Sequence, residues 1–397
     1  MLLNGRRVAT ILGLCVVAIG CDAGGPETSE GFVVSDSSGV AVVENRWDEA
    51  AVTTWEPSEP PILRLGSERD GAPDLFGSVA QVTLDSRGHV WVMDGFSAEA
   101  RVFDVPSGEH LFTVGGRGEG PGEFDSLHLL GLDGAHAWIW DQNLGRLTSF
   151  TLAGEFMGVR RVGQEEEVTP RLHSRTAKGT FVAQFPQLLG RAVTEGMIVR
   201  DTIRLWEFAE EEGESELLAQ RAGATFYFAG GTQRSVPFAD GARFAARDRW
   251  VVLTDPEGSP KLEVLEEGQL ARRIHLARER SPVTTEALDS LRAITGSGGT
   301  TPAGEQLPVP RLAPAWQEVR IGQDGSIFAL QNYWLNFWMP DVRQVWDVFD
   351  PEGRFRGQLD LPRGTSLLEV GGEFLVLGET PEGSGPRIAF YEAPEWE

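Results

Sequence analysis

Residues 114–124, VGGRGEGPGEF, constrain this chain more than any other stretch. Five of the eleven positions are glycine and one is proline. Glycine reaches backbone angles closed to other residues and proline fixes a turn angle, so the stretch is a shaped connection, neither strand nor helix. It ends on Phe124, a large apolar group that needs a buried place. A degraded copy lies upstream, with Leu65-Gly66, Asp70-Gly71, Pro73-Asp74 and Phe76 in the same order.

The residues after each copy repeat as well. After Phe76 come Asp85, Gly88, the apolar run 90–94, the run 101–104 and Gly108. After Phe124 come Asp133-Gly134, the runs 138–141 and 146–150, and Gly154. Phe76 and Phe124 are 48 residues apart; Asp94 and Asp141, like Phe103 and Phe150, are 47 apart. A fixed period near 45 with several short β-type runs per unit is the mark of propeller blades. One small sheet cannot bury both faces alone, and radial stacking buries them all.

Weaker copies continue downstream: 179–183 with 198–206, 243–245 with 250–255 and 262–265, 324–328 with 346–350, and 367–370 with 374–377 and 387–391. Six such units, a lead-in and one insertion fill the chain; seven would overrun it. The reading is an all-β, six-bladed β-propeller over residues 32–397. The insertion, 277–312, falls between blades four and five. Ser281-Pro282 followed by Thr284, Thr285, Glu286, Ala287 and Leu288 reads there as a capped helix, followed by a Gly/Thr/Pro-rich loop. In the lead-in, 32–34 and 40–43 flank Asp36-Ser37-Ser38-Gly39 as a hairpin. The short strand 62–65 has no partner in its own unit. It is predicted to complete the last blade, so that the ring has no free edge.

At the start of the chain, Arg6 and Arg7 precede an apolar run over 8–20. The run is too short to span a bilayer and suits a secretory signal. It ends Ala18-Ile19-Gly20-Cys21, which resembles a bacterial lipobox. The resemblance implies that 1–20 is a lipoprotein signal peptide, that cleavage precedes Cys21, and that lipid is attached to its sulfur. The other cysteine, Cys15, lies in the removed segment, so the mature chain has no internal disulfide. Residues 21–31 are small and polar and read as a flexible tether. The expected location is the bacterial cell envelope, reached by export and held by the lipid anchor. Asp22 resembles an inner-membrane retention signal of some bacteria, and inner and outer membrane both stay open.

The run GRGEGPGEF, an Asp-Gly before a strand, and a strand ending in Val-x-Phe-Asp-x-x-Gly together resemble the NHL-type six-bladed β-propellers. The whole chain is similar to the six-bladed propeller lipoproteins of bacteria. That resemblance covers about 32–393 and implies a fold; the group has no uniform activity.

The chain carries 59 acidic against 35 basic residues, a net charge of −24. Such a surface repels phosphate backbones, so nucleic acid is excluded as a partner. His89, His110, His128, His136, His173 and His275 show no metal-ligand spacing and read as structural or surface groups. No Gly-x-Ser-x-Gly elbow occurs. The glycine-rich stretch lacks the Gly-Lys-Ser/Thr ending of a phosphate cradle and leads into a strand. No catalytic residue, metal ligand or cofactor is assigned.

One stretch breaks the pattern of short polar connections. Unit five places Tyr333, Trp334, Phe337 and Trp338 between its second and third strands. These aromatics either pack on the insertion or form a platform for a glycan, peptide or partner protein. The candidate ligand-binding residues are Trp334, Phe337, Trp338 and Arg117. The chain is expected to be a monomeric binding or scaffold module, joined to the membrane through its lipid. The alternative is a metal-dependent hydrolase or lyase resembling the calcium-dependent lactonase propellers, with Asp125 and Asp240 as its carboxylates.

Overall fold

The computed structural model describes residues 27–28, 31–162, 169–184, 196–209, 215–229, 232–289, 309–331, 343–381 and 383–394. They are nearly all β, in six sheets taken consecutively from the chain. Sheet one is Val79–Leu84, His89–Asp94, Glu99–Asp104 and His110–Gly115; sheet two is Leu127–Leu132, His136–Asp141, Arg146–Thr151 and Phe156–Arg161. Sheet three is Arg171–Arg175, Phe181–Gln184, Ile198–Phe208, Ser215–Ala229 and Thr232–Ser235. Sheet four contains Phe244–Arg247, Trp250–Thr254, Lys261–Glu266 and Gln269–Leu276. Sheet five contains Glu318–Ile321, Ile327–Leu330, Val345–Phe349 and Phe355–Asp360, and sheet six Thr365–Gly371, Phe374–Glu379 and Arg387–Glu392.

The first strands of these sheets pack against one another in order, and that of sheet six returns to that of sheet one. Between sheets five and six the link is by hydrogen bonds: Arg320 Nη1 donates to Leu368 O (3.0 Å), and the Gln323 amide to Val370 O (3.0 Å). The first strands therefore surround a common axis, an arrangement consistent with a β-propeller.

The lead-in segment covers the outer edges of three consecutive sheets. Phe32–Ser37 and Val40–Asn45 form the expected hairpin, turning through Ser38 and Gly39 at φ 57° and 85°. Val40–Asn45 then pairs in parallel with Gln269–Leu276 of sheet four, and Thr54–Trp55 pairs in parallel with Phe355–Asp360 of sheet five. Leu63–Leu65 pairs antiparallel with Arg387–Glu392, placing Leu63 opposite Phe390, Arg64 opposite Ala389 and Leu65 opposite Ile388. This last pairing is the one expected from the sequence. The docking of the first two pieces is not legible locally, because a strand's own pattern does not name its partner.

The cores lie between neighbouring sheets. Trp91, Met93, Phe124, Leu129, Ile139 and Phe150 fill the layer between sheets one and two. Phe76, Val82, Phe103, Val376 and Phe390 fill that between sheets six and one. Phe124 and Phe76 thus hold equivalent places, and both are buried. The glycine-rich stretch is shaped to deliver Phe124. Gly115 has φ 95°, and a Cβ on it would lie 2.9 Å from Ala98 O and 3.0 Å from the Phe124 ring. The Phe124 amide donates to Gly116 O (2.8 Å), and the Gly118 amide to Phe124 O (3.1 Å). Arg146, on the third strand of sheet two, donates to the carbonyls of Glu119, Gly120 and Glu123 and so satisfies the far side of the loop.

The stretch 277–312 links sheets four and five. Residues 285–289 are helical, and the Thr284 hydroxyl accepts the Ala287 amide (3.2 Å) as an N-cap. Val283, Ala287, Leu288 and Val309 pack with Phe238 and Ala313 in a small satellite core. Residues 290–308 lie outside the described residues.

Truncating Phe124 to alanine should cost about 3–5 kcal/mol of unfolding free energy, the usual loss for a buried phenylalanine. Phe76→Ala should lose a similar amount, and Arg117→Ala, half-exposed on the same loop, far less. Chemical denaturation of the three variants checks this; equal small losses would remove Phe124 from the inter-sheet core.

Candidate functional site at the mouth of the ring

Several irregular connections leave the ring at the end where the first strands begin. The glycine-rich stretch runs directly into Leu127–Leu132. Arg117 ties it to the connection after His89–Asp94, donating to Gly95 O (3.3 Å) and Phe96 O (2.9 Å). Arg117 also meets Asp125 (3.3 Å), which accepts a further bond from Asn143 Nδ2 (2.6 Å). The side chain of Arg117 is half-exposed and serves as a brace between loops.

A buried carboxylate fixes the neighbouring sector. Asp347, fully enclosed on the third strand of sheet five, meets Arg278 at 2.8 and 2.6 Å. It also accepts hydrogen bonds from Trp316 Nε1 (2.6 Å), Gln331 Nε2 (2.6 Å) and Gln358 Nε2 (3.0 Å). A buried charge is tolerable only when paired and hydrogen-bonded, and this one has four partners. Three of them belong to the mouth: Arg278 opens the insertion, Trp316 follows it, and Gln331 opens the connection to Val345–Phe349. Trp334, Phe337 and Trp338 belong to that connection and lie outside the described residues, as does Cys21.

Between sheets two and three the first strands bring two histidines together. His128 and His173 stand 45 residues apart, second and third in their strands, and both are half-buried. His128 hydrogen-bonds to the backbone of His173, and the His173 side chain to Gln184. The Phe244 ring, from sheet four, stands edge-on at 4.7 Å from the His173 ring. His173 Nε2 is buried and finds no hydrogen-bond partner among the described residues. Burial first, then the charges of His128 and Arg171, push the His173 imidazole down to about 3. Burial also lowers His128. Both imidazoles are therefore neutral near neutrality.

Chain spacing alone assigns these histidines to structural or surface roles and misses the pair. A signal for it does exist: a histidine recurs near the start of the first strand in two adjacent repeats. The carboxylates named for the calcium-dependent reading are each taken up by a different arginine, Asp125 by Arg117 and Asp240 by Arg280. Among the described residues no group of three or more His, Cys, Asp or Glu side chains is placed to hold a metal.

Comparison with known proteins supports the fold. No family model matches the chain, and no curated protein matches it. Among solved structures, a member of the DUF4221 family from Bacteroides vulgatus is 12% identical, with a TM-score of 0.50 over 80% of this chain and 92% of that one. An exported protein from Bacteroides fragilis is 11% identical, with a TM-score of 0.48, covering 86% of this chain and 99% of that one. Virginiamycin B lyase from Staphylococcus aureus is 10% identical, with a TM-score of 0.41, covering 80% and 96%. The likeness to the DUF4221 member concerns the fold alone.

The depressed imidazole makes a pH prediction. The unfolded chain takes up a proton on His173 near the ordinary 6.5, whereas the native chain refuses it down to about 3. The neutral form thus contributes stability above pH 6.5 that is lost as pH falls through that window. The urea midpoint should fall between about pH 7 and about pH 5, and fall less in His173→Gln. An identical slope in the variant would show that His173 titrates normally in the fold.

Proposed function

We propose that this chain is an exported, lipid-anchored, six-bladed β-propeller of the NHL-like lipoprotein kind, and that it acts as a binding or scaffold module in the cell envelope. Export and anchoring rest on Arg6, Arg7, the apolar run 8–20 and the lipobox-like sequence ending at Cys21. No helix among the described residues is long and apolar enough to cross a membrane. The blade count rests on the six sheets and on Leu63–Leu65 completing the sixth.

The binding role rests mainly on one observation. The insertion and the aromatic connection leave the ring beside each other, and both are tied to the buried Asp347 through Arg278, Trp316 and Gln331. That node would hold Trp334, Phe337 and Trp338 over a rigid base, with Arg117 further round the mouth. Aromatic side chains on rigid supports make effective anchors for a glycan, a peptide or a protein partner.

Two measurements test the parts separately. Cys21→Ser should move the protein from the membrane to the soluble fraction, since the acyl chains supply the membrane affinity. A variant that stays with membranes would defeat the lipid anchor. The soluble domain, screened on glycan and peptide arrays, should give ligands whose binding is lost in Trp334→Ala, Phe337→Ala or Trp338→Ala at unchanged Tm. If every alanine variant simply unfolds, the aromatics are scaffold and the platform is excluded.

A further inference from the structure

The end of the ring opposite the mouth carries a groove of about 810 Å³, at the seam between sheets five and six. Residues 322–326 and 372–373 turn from the first strand to the second in these two sheets, and Glu392 ends the third strand of sheet six. All of them border the groove, together with the lead-in from Trp55 to Ile62.

Apolar side chains form its floor. Trp55 packs against the core between sheets five and six. Gly357, at φ 142°, makes its seat, because a Cβ there would lie 2.6 Å from the indole ring. Phe374 stands edge-on to Phe390 at 6.4 Å. Ile62 lies beside them and is 53% exposed. The two rings are thus fixed in place, and the isoleucine has apolar surface left to cover.

Carboxylates form its rim. Glu56, Asp324, Glu373 and Glu392 come from four separate segments and all are exposed. Among the described residues no lysine or arginine lines the groove. Phe374 pairs with Glu392 across the strands, and the Ala393 amide donates to Glu373 O (2.9 Å), which brings Glu373 and Glu392 to one edge. Glu56 meets Arg343 at 2.7 Å, and Asp324 accepts the Ser326 amide and hydroxyl at 2.9 and 2.6 Å. The residues after Pro394, Glu395-Trp396-Glu397, add two more acids to the chain at this point. Like charges gathered in this way repel one another, and a cation placed among them relieves the repulsion.

We propose that this groove binds a basic peptide segment of a partner protein, in which lysine or arginine flanks an apolar residue. The apolar residue packs on Trp55, Phe374 and Ile62. The flanking cations meet the carboxylate rim and the face of the indole. The sign of the charge selects the occupant, since an acidic segment would be repelled. The volume is that of a compact ligand site, which a few residues of chain fill. The groove rests neither on the lipid anchor nor on the aromatic connection, which leaves the ring at its other end.

The test titrates the soluble domain into labelled hexapeptides in which lysine, glutamate, serine and leucine are exchanged position by position, read by fluorescence anisotropy. Peptides that pair lysines with leucine should bind saturably. Carbodiimide coupling of the bound peptide should join its lysine amines to Glu373 or Glu392, as identified by mass spectrometry. Glu373→Gln with Glu392→Gln should weaken binding by about fivefold or more at unchanged Tm, the loss expected for two exposed charge pairs. Asp70→Asn with Glu155→Gln, exposed carboxylates elsewhere on the ring, should change it by no more than about twofold. No saturable binding, equal losses in the two double variants, or equal affinity when serine replaces leucine would overturn the proposal. Binding seen only in a chain ending at Pro394 would overturn it too, because the chain's own end would then be the occupant.

Discussion

The structure depends on covering the edges and faces of short sheets. A four-stranded antiparallel sheet has two apolar faces and two unpaired edges, and neither is stable in water alone. Stacking in a ring buries the faces, and the first strands lose their edges to the axis. The outer edges remain, and the lead-in segment covers those of sheets four, five and six in succession. Leu63–Leu65 also carries its chain straight into sheet one, so it joins the last sheet to the first. Leu65 lies in the same apolar layer as Phe76, Phe103 and Phe390. Pairing and packing therefore close the ring at one seam.

The mouth inherits its order from this frame. The glycine-rich stretch is spent on positioning Phe124, and its arginine braces loops rather than reaching outward. Asp347 does for the insertion and the aromatic connection what Phe124 does for sheets one and two: it gathers distant segments on one buried point. The first difference is chemical, since a buried carboxylate must be matched donor by donor. The second is functional, since the segments it gathers border the open end of the ring. His128 and His173 occupy the same end, between sheets two and three.

Much of the fold was legible because the repeat carries its own register. The spacing of Phe76 and Phe124 marks equivalent places, and each fills the layer between two neighbouring sheets. The closing strand was legible because Leu63 and Leu65 had no partner nearby. The docking of 32–45 on sheet four was not, because parallel pairing with Gln269–Leu276 joins segments over 200 residues apart. The histidine pair was not legible either. His128 and His173 look unrelated under a search for metal spacing along the chain, whereas their relation is lateral, between neighbouring first strands. The aromatic reading drew on composition, and the described residues reach only its two ends, Gln331 and Arg343.

The central claim is that the lead-in strand closes the ring against the last sheet, and a designed cross-link tests it most directly. Arg64 and Ala389 stand opposite each other in an antiparallel pair, a placement whose usual Cα separation of about 4.5–5.5 Å suits a disulfide. Arg64→Cys and Ala389→Cys together, in a secreted form also carrying Cys21→Ser, should oxidise to one intramolecular disulfide. The linked peptides would be identified by mass spectrometry and separated by reductant. Two thiols that stay free and titratable in the folded, oxidised protein would show that this strand lies elsewhere, and the closed ring would have to be abandoned.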